Sequence, residues 1–206
     1  MLNINPTRME LLRLKRKLKT AQRGHKLLKE KRDGLMKEFM VIIREAKASR
    51  QKIEEILSQA FRAFLFAKAD LGQETVEEAL MVPTKKVSLT AAEKNIMSVK
   101  IPEFELHEKG DHFCYSFLST TSDIDYSLKT FSEALKDLVK LAEIEHSARL
   151  LSKEIEKTRR RVNALEYVFI PEMRQTSHYI EAKLAERERS EKVVLMKVKD
   201  IINLIK

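Results

Sequence analysis

Between residues 11 and 67 the chain repeats a side chain suited to a helix seam at alternating steps of three and four: Leu11, Leu14, Leu18, Ala21, His25, Leu28, Arg32, Leu35, Phe39, Ile42, Ala46, Ser49, Ile53, Ile56, Ala60, Ala63 and Ala67. Only His25, Arg32 and Ser49 are not apolar. A period of about 3.5 residues held this long keeps one stripe on a partner helix only if the two supercoil, so the pattern predicts a coiled-coil helix. Asn5 suits an N-cap and Pro6 a first helical position, and the periodicity fades at Leu71 and Gly72, giving a helix over residues 6–72.

A second periodic run opens near residue 122, where Ser122 can cap and Asp123 and Asp125 suit the positive end of the helix dipole. Its seam runs Leu138, Leu141, Ile144, Ala148, Leu151, Ile155, Thr158, Val162, Leu165 and Phe169. From Met173 it continues through Ser177, Ile180, Leu184, Arg187, Glu191, Val194, Val198, Ile201 and Ile205, one residue out of step. The slip falls at Pro171, which removes a helical hydrogen bond. One helix over residues 122–206, bent or locally unwound at Pro171, is expected.

The middle, residues 73–121, reads differently. Met97, Val99 and Ile101, then Phe113, Tyr115 and Phe117, alternate with period two, and Pro102 and Gly110 bracket a polar stretch. A β-hairpin with its loop between Pro102 and Gly110 is expected, with residues 87–89 fitting a short third strand. Two long helices joined by a small cap fold most simply back on one another, each seam burying the other. The fold class is therefore mainly α: a long antiparallel two-helix coiled coil with a small cap that contains a β-hairpin. At about 1.5 Å per residue the helices would span roughly 100 Å and 120 Å, with both chain ends at one tip.

Composition supports long elements, since only four glycines and four prolines punctuate 206 residues. The net charge of +9 is concentrated: residues 1–37 hold twelve basic and three acidic side chains, and the remainder is balanced. Such a one-ended basic stripe implies an acidic partner surface. The single cysteine, Cys114, has no partner for a disulfide or a CxxC arrangement, which suits a reducing compartment. The N-terminus meets charge before any apolar stretch forms, so no secretory leader is expected. Arg62 and Lys68 interrupt the most apolar segment, residues 60–71, so no spanning helix is expected either.

Catalytic chemistry is not legible. The chain has no phosphate-loop pattern, no G-x-G-x-x-G and no H-E-x-x-H. Glu105, His107, Asp111, His112 and Cys114 crowd the expected hairpin, but their spacing fits no standard metal site. No cofactor or metal is expected. His25 and Arg32 at seam positions either fix register or, for Arg32, reach to the surface along the side chain's stem. Gly24 and Gly34 within helix one either mark a close approach of another backbone or are tolerated there. Phe61, Phe64, Leu65 and Phe66 place apolar groups on nearly every face, more than one partner helix covers, so the strand cap folding over them is expected ahead of an exposed docking patch, with room for both on different sides.

Three stretches resemble a known family. Asn5-Pro6-Thr7-Arg8-Met9-Glu10-Leu11 continuing to Arg23-Gly24-His25-Lys26-Leu27-Leu28-Lys29, the central Glu93-Lys94-Asn95-Ile96-Met97-Ser98-Val99, and Thr158-Arg159-Arg160-Arg161-Val162-Asn163-Ala164-Leu165-Glu166-Tyr167 with Ile170-Pro171 are similar to the D subunits of vacuolar/archaeal-type rotary ATPases. The resemblance covers essentially the whole chain.

It implies a non-catalytic central rotor stalk on the cytoplasmic side of a membrane, coupling ATP synthesis or hydrolysis to proton or sodium transport. The implied partners are the catalytic A and B subunits of the ATPase ring around the termini, the F subunit of the stalk lower down, and a membrane-rotor adaptor protein at the foot. Within that picture, Arg8, Arg13, Lys15, Arg16 and Lys19 are candidates to contact acidic loops of the ring, and Pro171 to bend the shaft. The competing readings are a basic coiled coil associated with nucleic acid and a plain scaffold. Helix one has no aromatic residue before Phe39 with which to stack bases, which weighs against the former.

Overall fold

A computed structural model describes residues 5–111, 115, 116 and 120–205. Helix α1 runs Arg8–Leu71, the short helix α2 Gln73–Leu80, strand β1 Lys86–Ile96, strand β2 Val99–Lys109, helix α3 Ser122–Ala164 and helix α4 Ile170–Ile205. Between α3 and α4 lies a π-helical turn, Leu165–Phe169. The chain is thus mainly α, a helical hairpin carrying a small two-stranded antiparallel sheet.

α1 starts two residues beyond the expected boundary because its cap is Thr7, not Asn5. The Glu10 amide donates to Thr7 Oγ1 at 3.3 Å, and the Leu11 amide to the Thr7 carbonyl at 3.0 Å, the spacing of a Thr-x-x-Glu capping box. At the other end Gly72 adopts φ 85° and ψ 157°, a conformation essentially reserved for glycine, which ends α1 and lets α2 begin at once. Every seam residue that the spacing assigns to α1, from Leu11 to Ala67, is buried or half-buried, the polar His25, Arg32 and Ser49 included, and Leu14, Leu35, Ile53, Ala60 and Ala67 are buried outright.

Two compact units divide the chain. The first comprises Met1–Gly34 with Glu156–Lys206. Its helices run antiparallel, as the ascending and descending order of their cross-pairs requires: Arg8 with Glu188, Lys15 with Glu181, His25 with Glu166. Leu14, Val162, Ile170 and Ile180 form its buried apolar positions, with Thr158 and Thr176 buried among the polar ones. Thr176 stays satisfied by donating from Oγ1 to the Glu172 carbonyl at 2.8 Å.

The second unit, Leu35–Ile155, contains the rest of α1, α2, the hairpin and most of α3. Here too the pairs run oppositely, Arg50 with Glu145 and Lys52 with Asp137. Leu35, Leu151 and Ile155 bury Val99 and Ile101 of β2, with Phe39, Ile42, Ile96 and Leu150 packed around them. A second cluster joins Ala67, Val76 and Ile124, flanked by Phe64, Leu71, Leu80, Tyr115 and Leu128. Buried Ala60, Ala67, Ser127 and Ala134 are small, which favours close approach of the helix backbones.

The hairpin departs most from the sequence-based expectation. Its loop is not the stretch from Pro102 to Gly110 but the two residues Met97 and Ser98, at φ 49° and 70°. Positive φ at both positions is the signature of a type I′ turn, which normally recruits Asn and Gly, so Met and Ser give no warning. The stretch expected to be a polar loop is strand: Pro102 pairs with Glu93, Phe104 with Ala91 and Leu106 with Leu89. Residues 87–89 belong to β1 itself rather than to a third strand. Of the second expected strand, Phe113 and Phe117 lie outside the described residues, while Tyr115 is not in a strand and its hydroxyl hydrogen-bonds Asp125.

Alternation along β2 also changes parity. Val99 and Ile101 are buried, but beyond them Pro102, Phe104, Leu106 and Glu108 are half-buried while Glu103, Glu105 and His107 are exposed. With an unbroken register this follows from the strong right-handed twist of a two-stranded ribbon, which turns one face inward near the loop and the other near the base.

Candidate interaction surfaces

The five basic side chains that the sequence singles out fall into two groups. Arg8 and Lys15 are occupied across the helix pair, Arg8 with Glu188 and Lys15 with Glu181 at 2.7 Å, while Arg13 pairs at 3.3 Å with Glu10 on its own helix. Arg16 and Lys19 are exposed and, among the described residues, carry no ion pair. Lys15 hydrogen-bonds Glu181 and holds its carboxyl below the ordinary carboxylate range. These exposed pairs set register more than they add stability.

The polar seam residues resolve differently from one another. His25 Nε2 lies 3.3 Å from Glu166 Oε2, so a partner on the opposite helix meets the imidazole. Arg32 instead turns to Asp33 beside it, with Nε at 3.0 Å and an Nη at 2.8 Å from the same carboxylate oxygen. That is a side chain reaching outward along its own stem. Gly24 needs no special approach, since a Cβ there would meet nothing within 4 Å.

Pro171 is the second residue of α4, directly after the π-helical turn. The Ile170 amide donates to the Leu165 carbonyl five residues back, and the buried or half-buried positions step from Val162 and Leu165 to Ile170, Met173 and Thr176. The one-residue slip legible in the sequence is therefore absorbed by a widened turn before the proline. Phe169, a seam residue by its spacing, is displaced to 50% exposure, beside exposed Tyr167 and Val168.

Apolar exposure is greatest in the last part of α4. Val194, Leu195, Val198, Ile201 and Ile202 are 45–67% exposed, and every residue from Ala185 to Asn203 is exposed. The heptad continues through this stretch, but α1 begins at Arg8, whose partner is Glu188, so among the described residues no opposing helix extends beyond that point. Leu138 is exposed as well.

Near the end of α1, helix α2 rather than the strand cap covers Phe64, through Val76 and Leu80. Phe61 meets Phe131 edge-on, ring centres 5.2 Å apart and planes at 80°, and Leu65 and Phe66 stay exposed.

A polar clasp at the hairpin's base has no counterpart in the sequence-based expectations. Lys85 Nζ lies 2.9 Å from Glu108 Oε2 and also hydrogen-bonds Ser132 of α3, while Lys136 approaches the same carboxylate at 3.8 Å. Lys85 depresses the Glu108 carboxyl, and the Lys136 charge adds to that. Across β2, Glu143 of α3 accepts the Phe104 amide at 3.0 Å. No spacing rule pairs residues this far apart in sequence, so only the folded chain reveals them.

No group of His, Cys, Asp and Glu among the described residues could hold a metal ion, and no described helix is long and apolar enough to cross a membrane. What the described residues offer is surface rather than an enclosed site: paired antiparallel helices of a mainly α protein, with the last part of α4 apolar and exposed. The family model for the D subunit of ATP synthase matches residues 10–200, and the chain belongs to that family. The V-type ATP synthase D subunit of Clostridioides difficile (strain 630) is 50% identical over 204 residues, covering 98% of this chain and 92% of that one. Those of Thermoanaerobacter sp. (strain X514) and Streptococcus pyogenes serotype M3 are 45% and 48% identical, over 98% and 96% of this chain and 98% of each relative.

Proposed function

We propose that this chain is the central rotor stalk of a V-type ATP synthase, transmitting torque between a catalytic ring and a membrane rotor. In this reading it is a non-catalytic, peripheral component on the cytoplasmic side, and ATP is handled by the A and B subunits. The F subunit of the stalk and a membrane-rotor adaptor are its other partners, and the coupled ion is a proton or sodium.

The observation that carries the reading is the open heptad seam of α4 beyond Glu188. Several large apolar side chains left exposed along one charged helix mark a surface for a partner to cover in the working state. An apolar collar formed by ring subunits would do so, with exposed Arg16 and Lys19 on α1 to meet acidic loops. The π-helical turn and Pro171 would make the shaft asymmetric, so that rotation presents different faces to equivalent ring sites.

The test is a chain ending at Glu188, co-expressed with its ring and stalk partners. It is expected to keep its own thermal transition and to lose capture by the ring. Normal assembly and coupling of that truncation would overturn the reading. Elution with polynucleotide that is released as salt rises would favour the nucleic-acid alternative instead.

A further inference from the structure

The two edges of the β-hairpin are treated in opposite ways. In a two-residue hairpin the residues flanking the turn, here Ile96 and Val99, exchange hydrogen bonds, and bonded and non-bonded pairs then alternate down the ladder. On β2 this points the backbone of residues 100, 102, 104, 106 and 108 outward. That edge is closed, since Pro102 has no amide to offer and the Phe104 amide is taken by Glu143. On β1 the outward set is Val87, Leu89, Ala91, Glu93 and Asn95. Ten of the eleven residues of β1 are exposed, none is proline, no bulge interrupts its register, and no described element pairs with its outer side.

We infer that the outer edge of β1 is a docking edge that accepts one extended segment of another polypeptide as a third, β-augmenting strand. The side chains of β1 specify what that segment looks like. Val87, Leu89 and Ala91 share the face of the ribbon that carries Phe104 and Leu106, and Val87 and Leu89 are 45% and 52% exposed there. An added strand would lay alternate apolar side chains beside this row. On the other face stand Lys86, Ser88, Thr90, Ala92 and Lys94, and neither lysine has an ion pair among the described residues. The incoming segment is therefore apolar at alternate positions and acidic where it passes the two lysines. A strand with those features gains backbone hydrogen bonds and covers apolar surface at once, whereas one that is basic where it passes Lys86 and Lys94 meets like charge there, and a uniformly polar one leaves the apolar row uncovered. Glu103 and Glu105 of β2 stand on the same face between the two lysines, one strand further in.

The inference rests on the proposed role as one component of a larger assembly. The test is amide hydrogen exchange, at single-residue resolution, on the free chain and on the chain in the complex formed with its ring and stalk partners. In the free chain, residues 88, 90, 92 and 94 are expected to exchange slowly and 87, 89, 91, 93 and 95 quickly. In the complex the second set should slow by about tenfold or more. Leu89→Pro removes an outward amide and an exposed side chain of the docking row but no ladder bond, so it should leave the free chain's transition in place while returning the odd-numbered amides to fast exchange in the complex. Thr90→Pro, which removes a ladder bond, should unravel the hairpin and serves as the contrast. If a complex forms and the odd-numbered amides exchange as fast as in the free chain, the docking edge is refuted while the stalk reading stands. If no complex forms, the stalk reading fails and this inference falls with it. Concentration-dependent protection in the free chain, with a dimer on sizing, would instead mean that two copies of β1 pair, and overturns the assignment to a different protein.

Discussion

The two halves of α4 carry the same heptad and meet opposite fates. From Ile170 to Leu184 the apolar seam positions are buried or half-buried, with Ile180 fully enclosed. From Arg187 onward the pattern continues, yet every described seam side chain is exposed, and among the described residues no helix lies opposite it beyond the Arg8–Glu188 pair. A heptad is a statement about one surface of a helix, and it stabilises only where a second surface meets it. The difference separates what holds this chain together from what it offers to others.

The sharpest way to test that division is one substitution in each half. Ile180→Asp places a charge where no water reaches and is expected to cost about 4 kcal/mol or more in the isolated chain. Ile201→Asp should stay within about 0.5 kcal/mol of the parent in the same chemical denaturation, and should instead weaken assembly with the ring. Equal losses of stability from both changes would erase the distinction.

The π-helical turn lies just before the paired half of α4 and re-phases it. Deleting Val168 would convert the wide turn to an ordinary α turn and set Pro171 against a regular carbonyl ladder, costing about 3 kcal/mol. Adding Pro171→Ala to the deletion should recover most of that loss. If the deletion is as costly with alanine as with proline, the turn is not there to accommodate the proline's pyrrolidine.

A smaller effect should appear in acid. Lys15 lowers the Glu181 carboxyl and Lys85 that of Glu108, so both carboxylates bind protons less readily folded than unfolded. Their contribution is complete above the unfolded carboxylate value, near about 4.3, and is lost as pH falls through the lower folded values. Melting temperatures followed downward from neutral pH should therefore drop in that acidic window. Lys15→Met should flatten the Glu181 part of the drop, which belongs to the paired half, while removing the exposed half of α4 should leave the profile unchanged.

The smallest expected change is a gain. Gly24 sits in the paired stretch of α1 with open space where a Cβ would go, so Gly24→Ala should raise stability by about 1 kcal/mol. A loss would reveal a contact that the geometry does not contain.

What the residues dictate without help is the helical framework. The seam of α1 is legible side chain by side chain, because coiled-coil periodicity is local and each position reports its own face. The slip near Pro171 is legible for the same reason, as a break in phase. Its form is not, since whether a helix absorbs an extra residue by a bend or by one widened turn depends on carbonyl and ring geometry rather than on residue type. The hairpin loop escapes a reading from sequence because Met97 and Ser98 turn the chain without the usual turn residues, and because ribbon twist changes which side chains face inward.

Sequence alone thus determined that two long helices with matched seams would clasp in antiparallel order, since burial of periodic apolar stripes follows from spacing. Tertiary structure decided where that clasp runs out, which edge of the hairpin is closed, and which charges are spent. These depend on where elements of unequal length end relative to one another, and on contacts between residues far apart in the chain, such as Lys85, Glu108 and Ser132 or Phe104 and Glu143.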